Sequence, residues 1–375
     1  YNPVMSQKLL ITLTVISLSF TAFLSGYLIS QKDFHRNPSS DSTGNILDKF
    51  GDTFGPAGLS ISSPEFIPNR EGLLNNNPGT FRPLSQRSAL SPAISKEKDS
   101  VIYYEKDTGK VFEVVLGGLS EKSVSDVPLA NLIKTIWASS RKEVISIFYY
   151  PSGNHYKYFS YKTRATVDLG TDIKSLAFSP DGSQIAYFGT KDGSRGIFIS
   201  QPNGSSFKNI LPSRLEGAEV YWPSDSLIYF KTDVVGGSEL YSISKTGEIK
   251  KILDPRDGLE VKWSKDGSRV LFSQKVESGI GLFYKDVHSE SETSLNVATE
   301  ASKCDWGIDG KTIVCGVPKS SASGDEIYEI NLDGTKKLLS SPTSRINTAE
   351  LFLSGLDDYV VILNGLDNKL YVLKK

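Results

Sequence analysis

Beyond about residue 80 the chain alternates short apolar runs with clusters of Asp, Gly, Asn, Ser and Lys. Within many runs apolar and polar positions alternate, the period of a strand with one buried face, and Asp-Gly or a polar substitute supplies the chain reversal that follows. The stretch "LAFSPDGSQIAYFG", residues 176–189, is one strand, turn and strand of this kind. Six others share its layout: "ISKEKDSVIYYE" at 94, "WASSRKEVISIFY" at 137, "WPSDSLIYF" at 222, "WSKDGSRVLFS" at 263, "WGIDGKTIVCG" at 306 and "FLSGLDDYVVIL" at 352. Their leading residues are Ile94, Trp137, Phe178, Trp222, Trp263, Trp306 and Phe352, separated by 43, 41, 44, 41, 43 and 46 positions.

A period of this size with several short strands per repeat predicts propeller blades. A third strand carries an aromatic among aliphatics ("GIFIS", "ELYSIS", "EIYEIN"), and a fourth follows in "ATVDL", "FKNIL", "IKKIL", "TSLNV" and "KKLLS". The expected fold is therefore all-β, a seven-bladed β-propeller over residues 80–375; one misread unit would make it six or eight. The last unit stops at Lys375 without a fourth strand, while "TFRPLS", residues 80–85, stands before the first unit and resembles "EIKKIL". Pairing the two would close the ring and remove two exposed edges. The leading residues recur on the inward parity of a strand, so they are expected as core anchors between sheets rather than as a stacking platform for sugars or bases.

The amino-terminal part follows other rules. Residues 9–30, "LLITLTVISLSFTAFLSGYLIS", carry no charge and would span about 33 Å as a helix, enough for a bilayer core. A transmembrane signal anchor is expected there, with residues 1–8 as a short cytoplasmic tail and the bulk of the chain extracytoplasmic; a cleaved signal peptide is the rival reading. Residues 31–79 are rich in Asn, Gly, Pro and Ser and read as a flexible linker, because they cannot bury enough apolar surface to offset the entropy of ordering.

The residues "LAFSPDGSQIAYFG", "VKWSKDGSRVLFSQ" and "CDWGIDGKTIVCG" resemble the TolB-type, WD-like β-propeller repeat, an aromatic followed by Ser-Pro-Asp-Gly and a small aliphatic strand. The match is clear around 178, 263 and 306, fair at 222 and weak at 94, 137 and 352. The resemblance implies a protein-binding platform at the cell envelope. Related blades gate serine peptidases, whose nucleophile lies on a separate hydrolase domain; the chain ends with its last blade, so none is expected here. Fold alone does not set function.

Composition narrows the classes further. Forty-two basic against forty-three acidic residues give no electrostatic footprint for nucleic acid. No Gly-x-Ser-x-Gly elbow and no phosphate-binding Gly-rich loop occurs. Three histidines, His35, His155 and His288, lack a second ligand at metal spacing, and the Asp-Gly turns offer too few oxygens for calcium. No catalytic, cofactor or metal-binding residue is assigned. Cys304 and Cys315 fall opposite each other if Trp306 faces Ile313, and an oxidising exterior would favour a disulfide; a pair of buried thiols is the alternative.

The expected function is recognition of envelope or surface proteins by a membrane-tethered propeller, with its oligomeric state left open. An enzyme is the competing class, a hydrolase or lyase acting on carbohydrate or peptide with carboxylates gathered at the channel mouth. A structural surface component is the third. Convergent acids at the mouth would favour the enzyme, and an apolar or mixed mouth would favour binding.

Overall fold

In the computed structural model, residues 79–375 are described, apart from 96, 119 and 321–323. The expected tail, membrane span and all but the end of the linker lie outside the described residues. Among those described, no helix is long and apolar enough to cross a membrane.

Seven four-stranded antiparallel sheets make up a β-propeller. Blades 1 to 6 occupy residues 89–125, 132–170, 173–212, 219–256, 260–294 and 304–340. Blade 7 combines three strands from 348–374 with Phe81–Pro83, which pairs antiparallel with Leu370–Lys374 in the register Phe81↔Leu373. The first strands of most successive blades touch one another, which sets them around the axis. Hydrogen bonds bind neighbouring first strands: the Ser91 hydroxyl accepts the Thr135 amide at 2.9 Å, and the Ser175 hydroxyl accepts the Val220 amide at 3.0 Å.

The strands form where period-two burial favours them, and the turn chemistry sets their ends. In blade 3 the Ser179 hydroxyl donates to Asp181 at 2.6 Å and accepts the Gln184 amide at 3.0 Å, while Asp181 accepts the Ser183 amide at 3.0 Å. Gly182 follows at φ 76°, a left-handed conformation that an L side chain resists. Ser264, Asp266 and Gly267 repeat the device in blade 5. Those hydrogen bonds, from Ser179 and Ser264 first, hold the Asp181 and Asp266 carboxyls down at about 2.

Apolar clusters fill the wedges between blades. Phe178 and Ile185 lie in a cluster joining blades 2 and 3, Trp222 in one joining blades 3 and 4, and Trp306 in one joining blades 5 and 6. The wedge between blades 7 and 1 contains Leu84, Val101, Tyr103, Val361 and Val372, so the segment after Phe81–Pro83 is built into the core at the ring's junction. The fourth strand of blade 5 is shorter than "TSLNV" suggests. Glu292–Ser294 forms the strand, and beyond it Leu295 and Val297 exchange bonds with Leu282 and turn inward to burial.

Candidate functional site at the channel mouth

First strands end at the turn face of the propeller with their leading aromatic or aliphatic residue. There they surround a cavity of about 1230 Å³. Ile94, Trp137, Phe178, Trp222, Trp263 and Phe352 all line it. Trp306 alone of the seven anchors does not; it is fully buried and donates its indole N–H to the Lys262 carbonyl at 3.2 Å. Phe178 and Trp222 are also buried, whereas Ile94, Trp137, Trp263 and Phe352 are half-buried. One flank of each anchor packs in the wedge and the other meets the cavity, because the anchor ends the strand nearest the axis. The indole N–H groups of Trp137, Trp222 and Trp263 are sealed from solvent, so these rings offer the cavity carbon rather than donors.

Deeper in the channel the surface turns charged. Glu219 of blade 4 pairs with Lys231 at 2.9 Å, and Lys262 of blade 5 lies 3.8 Å from Asp305 of blade 6. Burial works against the Glu219 carboxylate, but the hydrogen bond and charge of Lys231 prevail and hold its pKa below the usual range. Burial pushes the Glu350 carboxyl of blade 7 upward despite the pull of Lys262 and Lys134, and Asp305 adds to the rise. A second cavity of about 540 Å³, lined by Asn154 and Asp233 from hairpins of the opposite face, shares Lys134, Ser175 and Glu219 with the first. Charges of both signs therefore face the passage, where Glu219 and Glu350 feel the pull of Lys134, Lys231 and Lys262. Among the described residues no group of three His, Cys, Asp or Glu side chains is placed to hold a metal ion.

The rim is uneven. In the turns of blades 1, 2 and 7 the left-handed position that Gly182 fills in blade 3 is taken by Lys98 (φ 69°), Arg141 (φ 55°) and Asp357 (φ 59°). Asp357 reaches across blade 6: its carboxylate lies 3.2 Å from Lys265 of blade 5 and accepts the Ile308 amide. Arg141 donates to the Ile94 carbonyl at 3.0 Å, and burial lowers its pKa. Ile308 and Leu356, on the turns of blades 6 and 7, are 64% and 77% exposed, high for aliphatic side chains.

Cys304 and Cys315 stand opposite each other in blade 6 and form a disulfide, with Cα atoms 4.1 Å apart. Gly307 and Thr312 form a hydrogen-bonded pair, so by alternation the cysteines fall on a non-hydrogen-bonded pair, where side chains approach most closely. Both are fully buried in the wedge beneath Trp306 and away from the mouth. The rim residues Lys98, Arg141 and Asp357 were not singled out from the sequence. The signal for them lies in the weakness of their repeats, where a charged residue stands in the place of the turn glycine.

The architecture defines a closed seven-bladed β-propeller with a wide, mixed-polarity mouth. Similar solved structures include an oligogalacturonate lyase in complex with manganese (TM-score 0.58, 11% identity, 80% of this chain and 92% of that one). Others are the β-propeller domain of the Trilobed protease from Pyrococcus furiosus (0.52, 14%, 78% and 96%) and TolB from Acinetobacter baumannii (0.46, 12%, 74% and 63%). At these identities the likeness concerns the fold. No family profile and no curated protein sequence matches the chain.

Proposed function

We propose that the protein is a recognition module, a β-propeller that binds a partner protein of the cell envelope through the mouth on its turn face, tethered to the membrane by residues 9–30. The mouth carries this reading. A cavity of about 1230 Å³ is walled by apolar anchors and rimmed by charges of both signs, the mixed character that suits binding, whereas hydrolytic chemistry calls for convergent acids. Loops supply the rim, so it can vary without disturbing the sheets that hold it. The uncharged run at 9–30 supports the tether, and the Cys304–Cys315 bond suits an oxidising exterior.

A photo-crosslinking side chain at Ser140 or Leu356, on the rim, is expected to capture an envelope protein in living cells. The same group at Lys336, on the outer strand of blade 6, serves as the control. Equal capture at all three positions, or none at the rim, would remove the recognition reading. Resistance of the chain to alkaline extraction from membranes tests the tether, and its release would remove that part.

A further inference from the structure

We infer that the blade 1 and blade 2 side of the mouth recognises an acidic segment of a partner protein, one that places carboxylates on Lys98, Lys134 and Lys142 and apolar side chains against the anchors. The inference rests on the recognition reading above and adds the chemistry of the ligand. Five basic side chains line the cavity, Lys98, Lys134, Arg141, Lys142 and Lys265, against two acidic ones, Glu219 and Glu350. Several of these are already engaged. Lys265 is held by Asp357, Arg141 by the Ile94 carbonyl, and Glu219 by Lys231.

What is left is lopsided. Lys98, Lys134 and Lys142 are exposed, and their ammonium groups have no ion-pair or hydrogen-bond partner among the described residues. All three come from blades 1 and 2. Of the three, Lys134 alone acts electrostatically on the acids of the cavity, on Glu219, which Lys231 already holds, and on Glu350 of blade 7, whose burial weakens its hold on charge. Glu97 and Asp99 flank Lys98 in the chain without lining the cavity, and Glu143, next to Lys142, accepts the Tyr158 hydroxyl at 2.9 Å.

Backbone conformation points to the same side. Blades 3, 5 and 6 use glycine at the left-handed turn position, whereas blades 1, 2 and 7, neighbours once the ring closes, set Lys98, Arg141 and Asp357 there. A non-glycine residue in that conformation costs about 1 kcal/mol, and such outliers gather where a surface has a task. Gly355 of blade 7 leaves room for the Lys98 stem, since a Cβ there would lie 2.4 Å from its Cδ.

The apolar part of the mouth favours a peptide over an acidic polysaccharide. Sugar rings stack on open aromatic faces, but Trp222 and Phe178 are buried, and Trp137 and Trp263 are only half open. Leu356, on the blade 7 turn next to the Gly355 that abuts Lys98, and Ile308, on the turn of blade 6, are exposed and suit aliphatic or aromatic side chains of a bound chain.

The test uses the full chain and a displayed library of random dodecapeptides. Wild-type protein is expected to select peptides that combine Asp or Glu with aromatic or aliphatic residues. Their affinity should fall roughly tenfold or more in the Lys98→Glu/Lys142→Glu variant, less in Lys134→Gln, and in all cases with added salt. All three lysines are exposed, and an unchanged melting curve verifies that the variants fold. Selection without acidic bias, failure to select any peptide, or affinity unmoved by the charge reversals overturns the inference. So does displacement of the peptides by a linear uronic-acid oligomer that shows the same lysine dependence, which would assign the mouth to a polysaccharide. If crosslinking at Ser140 still captures an envelope protein while charge reversal has no effect, recognition stands and its acidic chemistry falls.

Discussion

Truncation of Leu84 to alanine tests the junction at which the ring closes. Leu84 is 3% exposed and packs with Ala89, Val101, Val361 and Val372, in the wedge between the last blade and the first. Its amide donates to the Leu370 carbonyl at 2.8 Å, and the neighbouring Ser85 hydroxyl accepts the Leu370 amide at 2.9 Å. Emptying such a site removes the transfer free energy of the side chain and leaves a cavity, at a cost of about 3 kcal/mol. In a domain of this size that corresponds to a fall in Tm of roughly 5 °C. Deleting residues 80–85 should do more. It removes the register Phe81↔Leu373, the ring stacking of Phe81 on Tyr371 at 5.4 Å and the Arg82 bond to the Leu116 carbonyl at 2.6 Å. Calorimetry of the full chain reports the global transition, and hydrogen exchange reports where the structure opens. Faster exchange is expected in the first strands of blades 1 and 7, ahead of blade 4. If Leu84→Ala melts within about one degree of wild type and exchange changes only in the outermost strand, the strand is edge decoration and the closure reasoning fails.

Three further outcomes follow from the geometry. Unreduced, denatured protein should show no titratable thiol, and reduction should remove about 3 kcal/mol by the chain-entropy relation for a separation of 11 residues; two thiols in the unreduced sample would refute the bond. Asp181 and Asp266 have carboxyls depressed to about 2, so their contribution to stability is present above the ordinary carboxylate range and lost as pH falls through about 2. An Asp181→Asn/Asp266→Asn variant should accordingly melt below wild type at pH 7, with the gap closing toward pH 2, and a gap independent of pH would contradict this. Asp357→Ala should speed hydrogen exchange at the Ile308 amide at least several-fold while lowering global stability by no more than about 1 kcal/mol, because it frees one clasp at the rim and leaves the wedges intact. Unchanged exchange at Ile308 would show that the clasp does not hold in solution.

Much of the architecture was legible because its causes are local. A strand of alternating polarity, a Ser-x-Asp-Gly turn and an aromatic at a fixed offset each leave a mark within a dozen residues, and repetition about every 43 residues turns those marks into a count of blades. The opposition of Cys304 and Cys315 could be read in the same way, since it depends on the register of a single hairpin. The anchors were harder to judge. Burial between sheets accounts for Trp306 and Trp222, but the half-open state of Trp137 and Trp263 depends on where their strands end relative to the axis, which no local pattern encodes.

The sequence by itself therefore determined the repeating unit, its turns and the residues that anchor it, because these depend on interactions between near neighbours in the chain. Tertiary structure alone decided the mouth. Lys98 and Gly355 meet across the junction of the first and last blades, and Asp357 reaches Lys265, 92 residues away, only because ring closure and the fan of the turns bring them to one rim. Side chains that converge on an axis from separate sheets share no periodicity with one another, so the charge of that rim could be known only once the ring was formed.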